Sequence, residues 1–269
     1  MYGLIISFLD YNPLKGVMGS KWVGMENFKF LFTQENFFRA IRNTLIISGL
    51  KLLFIFPSTI ALALLVNEVR HKRYKSVIQS ITCFPNFLSW VLIGSVMMAL
   101  LSPSNGPVNG LIKLLGREPV FFLGHNFWYI VTVVFSDVWQ SIGFNSIIYL
   151  AAIAGIDPQL YEAAIIDGAS RFKQIIYITI PSIMYIAVIM LILWVGKIMD
   201  AGFDQIMNTY NMGVLEVADI LDTYIYRIGL VKFSYSISTA AGLFKSLIGL
   251  LLIVITNKIA NMLGENGLW

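Results

Sequence analysis

Residues 44–66 read TLIISGLKLLFIFPSTIALALLV, and Lys51 is the only charged residue in that run. An α-helix of about 20 predominantly apolar residues is long enough to cross the hydrocarbon core of a bilayer. Other stretches of the chain are similarly long and apolar, which gives five predicted spans: 44–66, 77–101, 127–154, 182–199 and 236–263. The sequence therefore predicts a polytopic membrane protein.

The predicted spans are all helices, so the fold class is an all-α membrane helical bundle. In hydrocarbon a helix satisfies its own backbone hydrogen bonds, whereas the chain lacks the short alternating segments of a transmembrane barrel. Pro57 lies within the first span and Pro85 near the start of the second. Because neighbouring helices can satisfy the carbonyls that a proline frees, we expect kinks at both positions rather than breaks.

The composition agrees with membrane embedding. The 269 residues are 57% hydrophobic and 13% charged, and their mean hydropathy is +0.75, whereas soluble domains have about 45–50% apolar and about 25% charged residues. The net charge of +4 comes from basic residues scattered among apolar segments, so nucleic acid is not an expected partner. The single cysteine, Cys83, excludes an internal disulfide, and no His, Cys or carboxylate cluster has the spacing of a metal site.

The loop 67–76 indicates the orientation of the spans. It holds four basic residues in six positions: Arg70, Lys72, Arg73 and Lys75. Such a density of positive charge in a very short loop favours the cytoplasmic side. Since the spans alternate in direction, segment 155–181 falls on the same side, and segment 200–235 falls outside. The acidic and tyrosine residues of 200–235 fit either a surface that meets an extracellular binding protein or an ordinary solvated loop.

Residues 10–43 form a predicted external segment that precedes the first complete span. Within it, residues 34–43 place Phe37, Phe38 and Ile41 on one helical face and Arg39 and Arg42 away from it. This pattern fits an interfacial helix, and it fits equally well a slightly early start of the span itself.

Segment 155–181 is predicted to contain a helix on the cytoplasmic side. Asp157 and Pro158 have the residue types of an N-cap followed by a first helical residue. The following apolar residues recur at intervals of four, three and four, which predicts one apolar seam of Ile165, Ala169, Phe172 and Ile176. On another side of the same helix, a patch of small residues would permit a partner surface to approach closely: Ala163, Ala164 and Gly168.

These residues also carry a family resemblance. The chain from Glu162 to Pro181 resembles the signature of the permease subunits of binding-protein-dependent importers of the ATP-binding-cassette class, which is E-A-A, three residues, G, nine residues, I, any residue, L, P. Here Glu162-Ala163-Ala164 precedes Gly168, and Ile178, Ile180 and Pro181 follow at the same spacing. The one departure is Ile180 in place of leucine.

Further stretches are similar to the carbohydrate-importing group of that family. They are Tyr149 to Ala164, Ser136 to Gln140 and Phe144 to Tyr149. Shorter motifs near both ends resemble the permeases of complex oligosaccharides such as alginate-type or glycan fragments: Met1 to Leu4, Asp10 to Pro13, Trp22 to Gly24 and Gly267 to Trp269. The likeness covers essentially the whole chain.

The resemblance implies a type I importer transmembrane domain in a bacterial cytoplasmic membrane. Six spans are expected, with residues 1–9 as the remnant of the first, 44–263 as the permease domain and 264–269 as a cytoplasmic tail. The implied partners are a second homologous permease subunit, two ATP-binding subunits, an extracellular or periplasmic sugar-binding protein and an oligosaccharide substrate. The chain has no G-x-x-x-x-G-K-[ST] loop, so it is not expected to be an enzyme. ATP and Mg²⁺ would bind the partner ATPase, and this chain would hold no cofactor.

The resemblance also assigns residues to contact with the ATPase: Glu162, Ala163, Ala164, Asp167, Gly168, Arg171, Phe172 and Pro181. Ionisable and amide residues within the spans are candidates for a substrate path: Asp137, Gln140, Asn145, Lys51, Lys197 and Lys245. Asp137, Gln140 and Asn145 are preferred because they share one helix face. The alternative is that Asp137 pairs with a lysine inside the bundle and that Lys197, near Asp200, lies at a membrane boundary.

Two other functions compete with this interpretation. An ion-coupled secondary transporter would show an inverted internal repeat and broken helices at matching positions, and the sequence shows neither. A membrane-embedded assembly or signalling protein would not need the small-residue segment with its I-x-I-P spacing.

Overall fold

The computed structural model of the chain describes residues 2–262, and helices account for most of them. The predicted cytoplasmic tail 264–269 and the motif Gly267 to Trp269 lie outside the described residues. The longer helices are α3 (Glu26–Thr33), α4 (Glu35–Asn67), α5 (Lys72–Cys83), α6 (Trp90–Leu101), α7 (Pro107–Leu114), α8 (Asn126–Ala154), α9 (Pro158–Ile166), α11 (Ile180–Gly196) and α15 (Tyr235–Met262).

The remaining elements are short. They are α1 (Tyr2–Ile6), α2 (Gly16–Gly19), α10 (Arg171–Gln174), α12 (Phe203–Met207), α13 (Leu215–Ala218), α14 (Leu221–Tyr226), 3₁₀ turns at Phe84–Phe87 and Met212–Val214, and π turns at Ile175–Thr179 and Arg227–Val231. One small antiparallel pair joins β1 (Leu9–Asp10) to β2 (Lys21–Trp22), with Leu9 opposite Trp22.

The predicted spans correspond to long apolar helices. Within the described range, three continuous helical stretches are long and apolar enough to cross a membrane: Glu35–Asn67, Arg171–Gly196 and Tyr235–Met262. Two bent pairs raise the number to five if each pair is one span: α5 and its 3₁₀ turn with α6, and α8 with α9. The fourth span differs in its limits, because the helix begins well before residue 182 and ends at Gly196 rather than at 199.

The two prolines behave differently. Pro57 lies inside the continuous helix α4, so the chain is unbroken there, as predicted. At Pro85 the prediction of a kink is wrong, because α5 ends at Cys83 and α6 leaves at an angle of 99° after a short break. The chain adopts an extended conformation at Leu88, where ψ is 136°, and a helix cannot continue through that residue.

Residues 34–43 do not form a separate helix. Residues 35–43 are the first turns of α4, which fits an early start of the span rather than a distinct interfacial helix. At 1.5 Å per residue, the 33 residues of α4 extend about 50 Å, which exceeds the roughly 30 Å of the hydrocarbon core.

The described chain divides into two compact units. The first contains residues 2–50, Trp90–Val134 and Gly196–Leu252. Its buried apolar residues form two clusters, one around Phe37, Leu221 and Tyr224 and the other around Tyr129, Ile206 and Ile220.

Among the described residues, the second unit contains Lys51–Ser89, Phe135–Val195 and 253–262. Its buried cluster includes Ala63, Tyr149 and Ile183. In this unit α8 approaches the end of α5 closely, since a Cβ atom on Gly143 would collide with the backbone of Thr82 and Cys83. A glycine at this crossing lets the two backbones touch.

Segment 200–235 is packed, so the alternative of an ordinary solvated loop is wrong. Ile206, Ile220 and Leu221 are fully buried within it. The amide of Asn43 in α4 donates to the carbonyl oxygens of Glu216 and Asp219, over 2.8 and 3.0 Å. A buried amide that satisfies two carbonyls fixes the course of an irregular segment, because unpaired buried carbonyls cost free energy.

Candidate functional site

The helix α9 begins as the sequence predicts. Asp157 is its N-cap, and the carboxylate accepts a hydrogen bond from the backbone N–H of Gln159 at 2.9 Å. Pro158 occupies the first turn, where its missing N–H removes no helical hydrogen bond. The axis of α9 is bent by 70° from that of α8, so the chain turns sharply at the end of the span.

Gly168 ends α9 with a left-handed turn. Its φ angle is +75°, a conformation that residues with a Cβ atom rarely adopt. The N–H of Gly168 bonds to the carbonyl of Ile165 at 3.0 Å, and the N–H of Ala169 bonds to the carbonyl of Ala164 at 2.8 Å. These two bonds form a Schellman motif, in which the last free carbonyls of the helix are satisfied.

The prediction of one apolar seam along a single helix is therefore wrong. Ile165 belongs to α9, whereas Phe172 belongs to α10, and Gly168 reverses the helical path between them. Gly168 also does not share a helix face with Ala163 and Ala164. Space is open around it, since a Cβ atom there would meet no atom within 4 Å. Within this chain, the glycine is required by its backbone conformation.

The turn between α9 and α10 exposes a group of large apolar side chains. Ile166 is 86% exposed and Phe172 is 70% exposed, and Leu160, Ile165 and Tyr177 are also exposed. Glu162 and Arg171 lie exposed on these two helices, and Asp167 lies exposed at the C-cap of α9. The segment thus presents an apolar surface with charged residues around it, in a part of the chain that turns away from the span.

Hydrogen bonds tie this segment to the base of α11. The hydroxyl groups of Tyr161 and Thr179 lie 2.9 Å apart, and the buried Gln174 donates from its side-chain amide to the carbonyl of Ala169 at 3.0 Å. Ser170 caps α10, and the π turn that follows leads into Pro181, whose nitrogen has no hydrogen to donate. The turn and the start of α11 are therefore one connected structure.

Asp137, the preferred path residue, is in an ion pair. The Nζ atom of Lys51 lies 2.7 Å from Oδ2 of Asp137, and their side chains are 5% and 18% exposed. Pairing of Asp137 with a lysine inside the bundle is the alternative that the sequence allows to a role in the substrate path. The structure shows such a pair, with Lys51 as the lysine. The pair joins α4 to α8 inside the second unit, and each charge is neutralised where water is scarce.

Gln140 and Asn145 lie on α8 after Asp137. All three belong to one uninterrupted helix, with Gln140 one turn and Asn145 about two turns after Asp137, so they lie within an arc of about 140° around the helix axis. Gln140 donates to the carbonyl of Leu88 at 3.4 Å, close to the break between α5 and α6. Both side chains are half-buried.

The other two lysine candidates have different surroundings. Lys245 donates to both carboxylate oxygens of Asp222, at 2.6 and 2.8 Å. Burial raises the pKa of Asp222 above its ordinary value, and Lys245 opposes that rise. Lys197 is exposed and follows the last residue of α11, which agrees with the alternative of a boundary position.

Sequence reasoning missed the burial of Asp219, one of several buried polar residues in segment 200–235. Asp219 is 1% exposed, and Arg227 donates to both its carboxylate oxygens, at 3.0 and 2.6 Å. Hydrogen bonding to Asp219 raises the pKa of Arg227. The apolar residues that flank Asp219, Val217 and Ala218 before it and Ile220 and Leu221 after it, were the signal that this carboxylate is buried.

Known proteins resemble the chain over its whole length. The polygalacturonan/rhamnogalacturonan transport system permease protein YteP of Bacillus subtilis strain 168 is 42% identical over 269 residues, which is 100% of this chain and 84% of that protein. Protein LplB of the same strain is also 42% identical, over 100% of this chain and 85% of that protein.

Two solved structures have the same fold. The crystal structure of a bacterial ABC transporter involved in the import of the acidic polysaccharide alginate contains a chain that is 40% identical, with a TM-score of 0.89 over 97% of this chain and 87% of that one. A second structure, of the bacterial alginate ABC transporter in complex with an alginate pentasaccharide-bound periplasmic protein, gives a TM-score of 0.87 at 41% identity over 91% of this chain and 85% of that one. The family model described as the inner membrane component of binding-protein-dependent transport systems matches residues 59–264. With that match and these relatives, the chain belongs to the family of binding-protein-dependent transport system inner membrane components.

Proposed function

We propose that this chain is the permease subunit of an ATP-driven importer of oligosaccharides, and that the turn from α9 to α10 receives motion from a separate ATP-hydrolysing subunit. The family is one of ABC permease membrane subunits, whose ATPase is a separate chain. A second permease subunit, two ATP-binding subunits that hold ATP and Mg²⁺, and a sugar-binding protein complete the proposed assembly in the bacterial cytoplasmic membrane.

One observation carries the coupling role. The residues that match the family signature, Glu162 to Pro181, form an exposed apolar turn that is capped at both helix ends and bonded to the base of α11. Large exposed side chains such as Ile166 and Phe172 cost free energy in water unless a partner covers them. A partner that grips this turn would displace α11 with it.

The coupling role is tested in the complex reconstituted with its second permease, ATPase and binding protein. Replacing Glu162, whose side chain is exposed and caps no helix, by alanine leaves the fold intact. We expect Glu162→Ala to lower substrate-stimulated ATP hydrolysis at least tenfold while the complex still assembles. Glu118→Ala, which removes an exposed glutamate from the segment between α7 and α8, serves as the matched control. Stimulated hydrolysis at the wild-type rate in Glu162→Ala would refute the contact.

The proposed substrates are fragments of polysaccharides. The support is the full-length similarity to a permease for polygalacturonan and rhamnogalacturonan and to chains of alginate transporters. Uptake of a panel of acidic and neutral oligosaccharides by the reconstituted complex tests the class. ATP must be required, and an ionophore that collapses ion gradients must leave uptake unchanged. Uptake that follows the ion gradient instead would favour a secondary transporter.

We also propose Asp137, Gln140 and Asn145 as residues of the substrate path. They share a face of α8, and their half-buried polar groups suit hydrogen bonds to sugar hydroxyls. Lys51 would then hold the Asp137 carboxylate in place and neutralise it. Asn145→Ala should raise the substrate concentration for half-maximal uptake, and an unchanged value would remove Asn145 from the path.

A further inference from the structure

The end of the loop between α4 and α5 and the first turn of α5 carry a concentrated basic patch. Arg70, His71, Lys72 and Arg73 follow one another and are all exposed. In the part of the chain that the structure describes, no carboxylate lies within 4.0 Å of these side chains. Lys75 lies beside the patch and donates to the side-chain oxygen of Asn67 at 3.4 Å. Among residues 2–262, therefore, no ion pair neutralises the positive charge of the patch.

The patch surrounds a shallow cavity of about 560 Å³. Its lining is His71, Lys72, Arg73, Tyr74 and Val77. The rings of His71 and Tyr74 meet edge to face with their centroids 5.8 Å apart, so they form a wall on one side. A cavity of this size accommodates a phosphate ester with part of its attached group.

The exposed face of α5 continues from the patch as an apolar stripe. Tyr74, Val77 and Ile81 recur at intervals of three and four residues, and all three are more than half exposed. Phe84 extends the stripe by three more residues and is also exposed. Along α5 the exposed side chains are thus cationic first, then a tyrosine, then aliphatic and aromatic. This order matches the layers of a membrane, from the charged headgroups through the interface to the acyl chains.

From this arrangement we infer that the basic patch and the stripe of α5 bind an anionic phospholipid of the cytoplasmic leaflet. The patch follows directly on α4, so it lies where that span leaves the hydrocarbon core. Arg73 and Lys72 bind the phosphate in the cavity, the guanidinium through two parallel hydrogen bonds. The acyl chains lie along Val77 and Ile81. A soluble acidic protein would use the patch but leave the apolar stripe in contact with water.

The inference is independent of the coupling role of α9 and is tested with the assembled complex. Native mass spectrometry of the complex in detergent, titrated with phosphatidylglycerol against phosphatidylcholine, gives the relative affinity for the anionic lipid. Each cation near a membrane surface contributes about a fivefold preference for anionic lipid, so K72Q/R73Q should lose about 25-fold in that ratio. The matched control is K113Q/R117Q, which removes one lysine and one arginine from exposed positions in and after α7.

Four outcomes decide the question. A loss confined to K72Q/R73Q, with no competition from excess inorganic phosphate at constant ionic strength, supports a lipid site. Displacement of the bound lipid by inorganic phosphate at millimolar concentration assigns the cavity to a soluble anion and overturns the inference. An equal loss of lipid preference in the control variant also overturns the inference. So does a fall in ATPase stimulation with unchanged lipid binding, because the patch would then contact the ATP-binding subunit.

Discussion

Replacing Gly168 by alanine or asparagine separates two roles for this glycine. At φ +75° an L-residue in the left-handed region costs about 1–2 kcal/mol, whereas nothing within 4 Å would clash with the added Cβ atom. That free energy lowers the population of the capped turn by a factor of about 5–30. Asparagine adopts left-handed backbone angles several-fold more readily than most residues, so Gly168→Asn should retain more of the turn than Gly168→Ala.

The assay is substrate-stimulated ATP hydrolysis by the reconstituted complex, with assembly checked by size-exclusion chromatography. If the backbone conformation is what matters, stimulation falls in the order glycine, asparagine, alanine. If a partner surface needs the space beside Gly168, Gly168→Asn lowers stimulated ATP hydrolysis more than Gly168→Ala does, because asparagine is bulkier. Gly155→Ala is the control, since its added methyl group makes only ordinary contacts and its backbone is not left-handed. Equal activity in Gly168→Ala and the wild type would refute the reasoning.

Two further substitutions test the packing of the second unit. Gly143→Ala should lower the stability of the complex by about 1–3 kcal/mol, because the new methyl group would collide with the backbone of Thr82. Thermal unfolding in detergent measures this loss. The control is Gly49→Ala, which has open space around the added methyl group and should not lower the stability. Lys51→Met should be destabilising by about 3–5 kcal/mol because it leaves the Asp137 carboxylate buried and unpaired, and the double variant K51M/D137L should recover most of that loss. A double variant as unstable as Lys51→Met would show that the pairing is not what stabilises this region.

The spans and the start of α9 could be predicted because their signals are local. An apolar run such as 44–66 needs no knowledge of its neighbours, and the pair Asp157 and Pro158 caps the helix that follows it immediately. The end of α9 was missed although its signal was also local. Apolar spacing alone continued the helix through Gly168, while glycine is the residue that most often ends helices in a left-handed turn.

Other features depend on residues far apart in the chain. Pro57 and Pro85 have the same backbone constraint, yet only the second accompanies a break, where Gly143 of α8 packs against the backbone. The partner of Asp137 is Lys51, 86 positions earlier, and sequence reasoning could only suggest that some lysine fills this role. Long-range pairing of this kind follows from how helices pack, which one sequence does not reveal.

The two attachments of the α9 turn have a mechanical consequence. Tyr161 bonds to Thr179 from the first half of α9, and the carbonyl of Ala169, just past its end, accepts from Gln174. A helix that is held by hydrogen bonds at two points along its length cannot rotate freely about either point. If the ATP-binding subunit pulls on Ile166, as the proposed function requires, these two hydrogen bonds would oppose rotation of the turn and would carry its displacement to the base of α11.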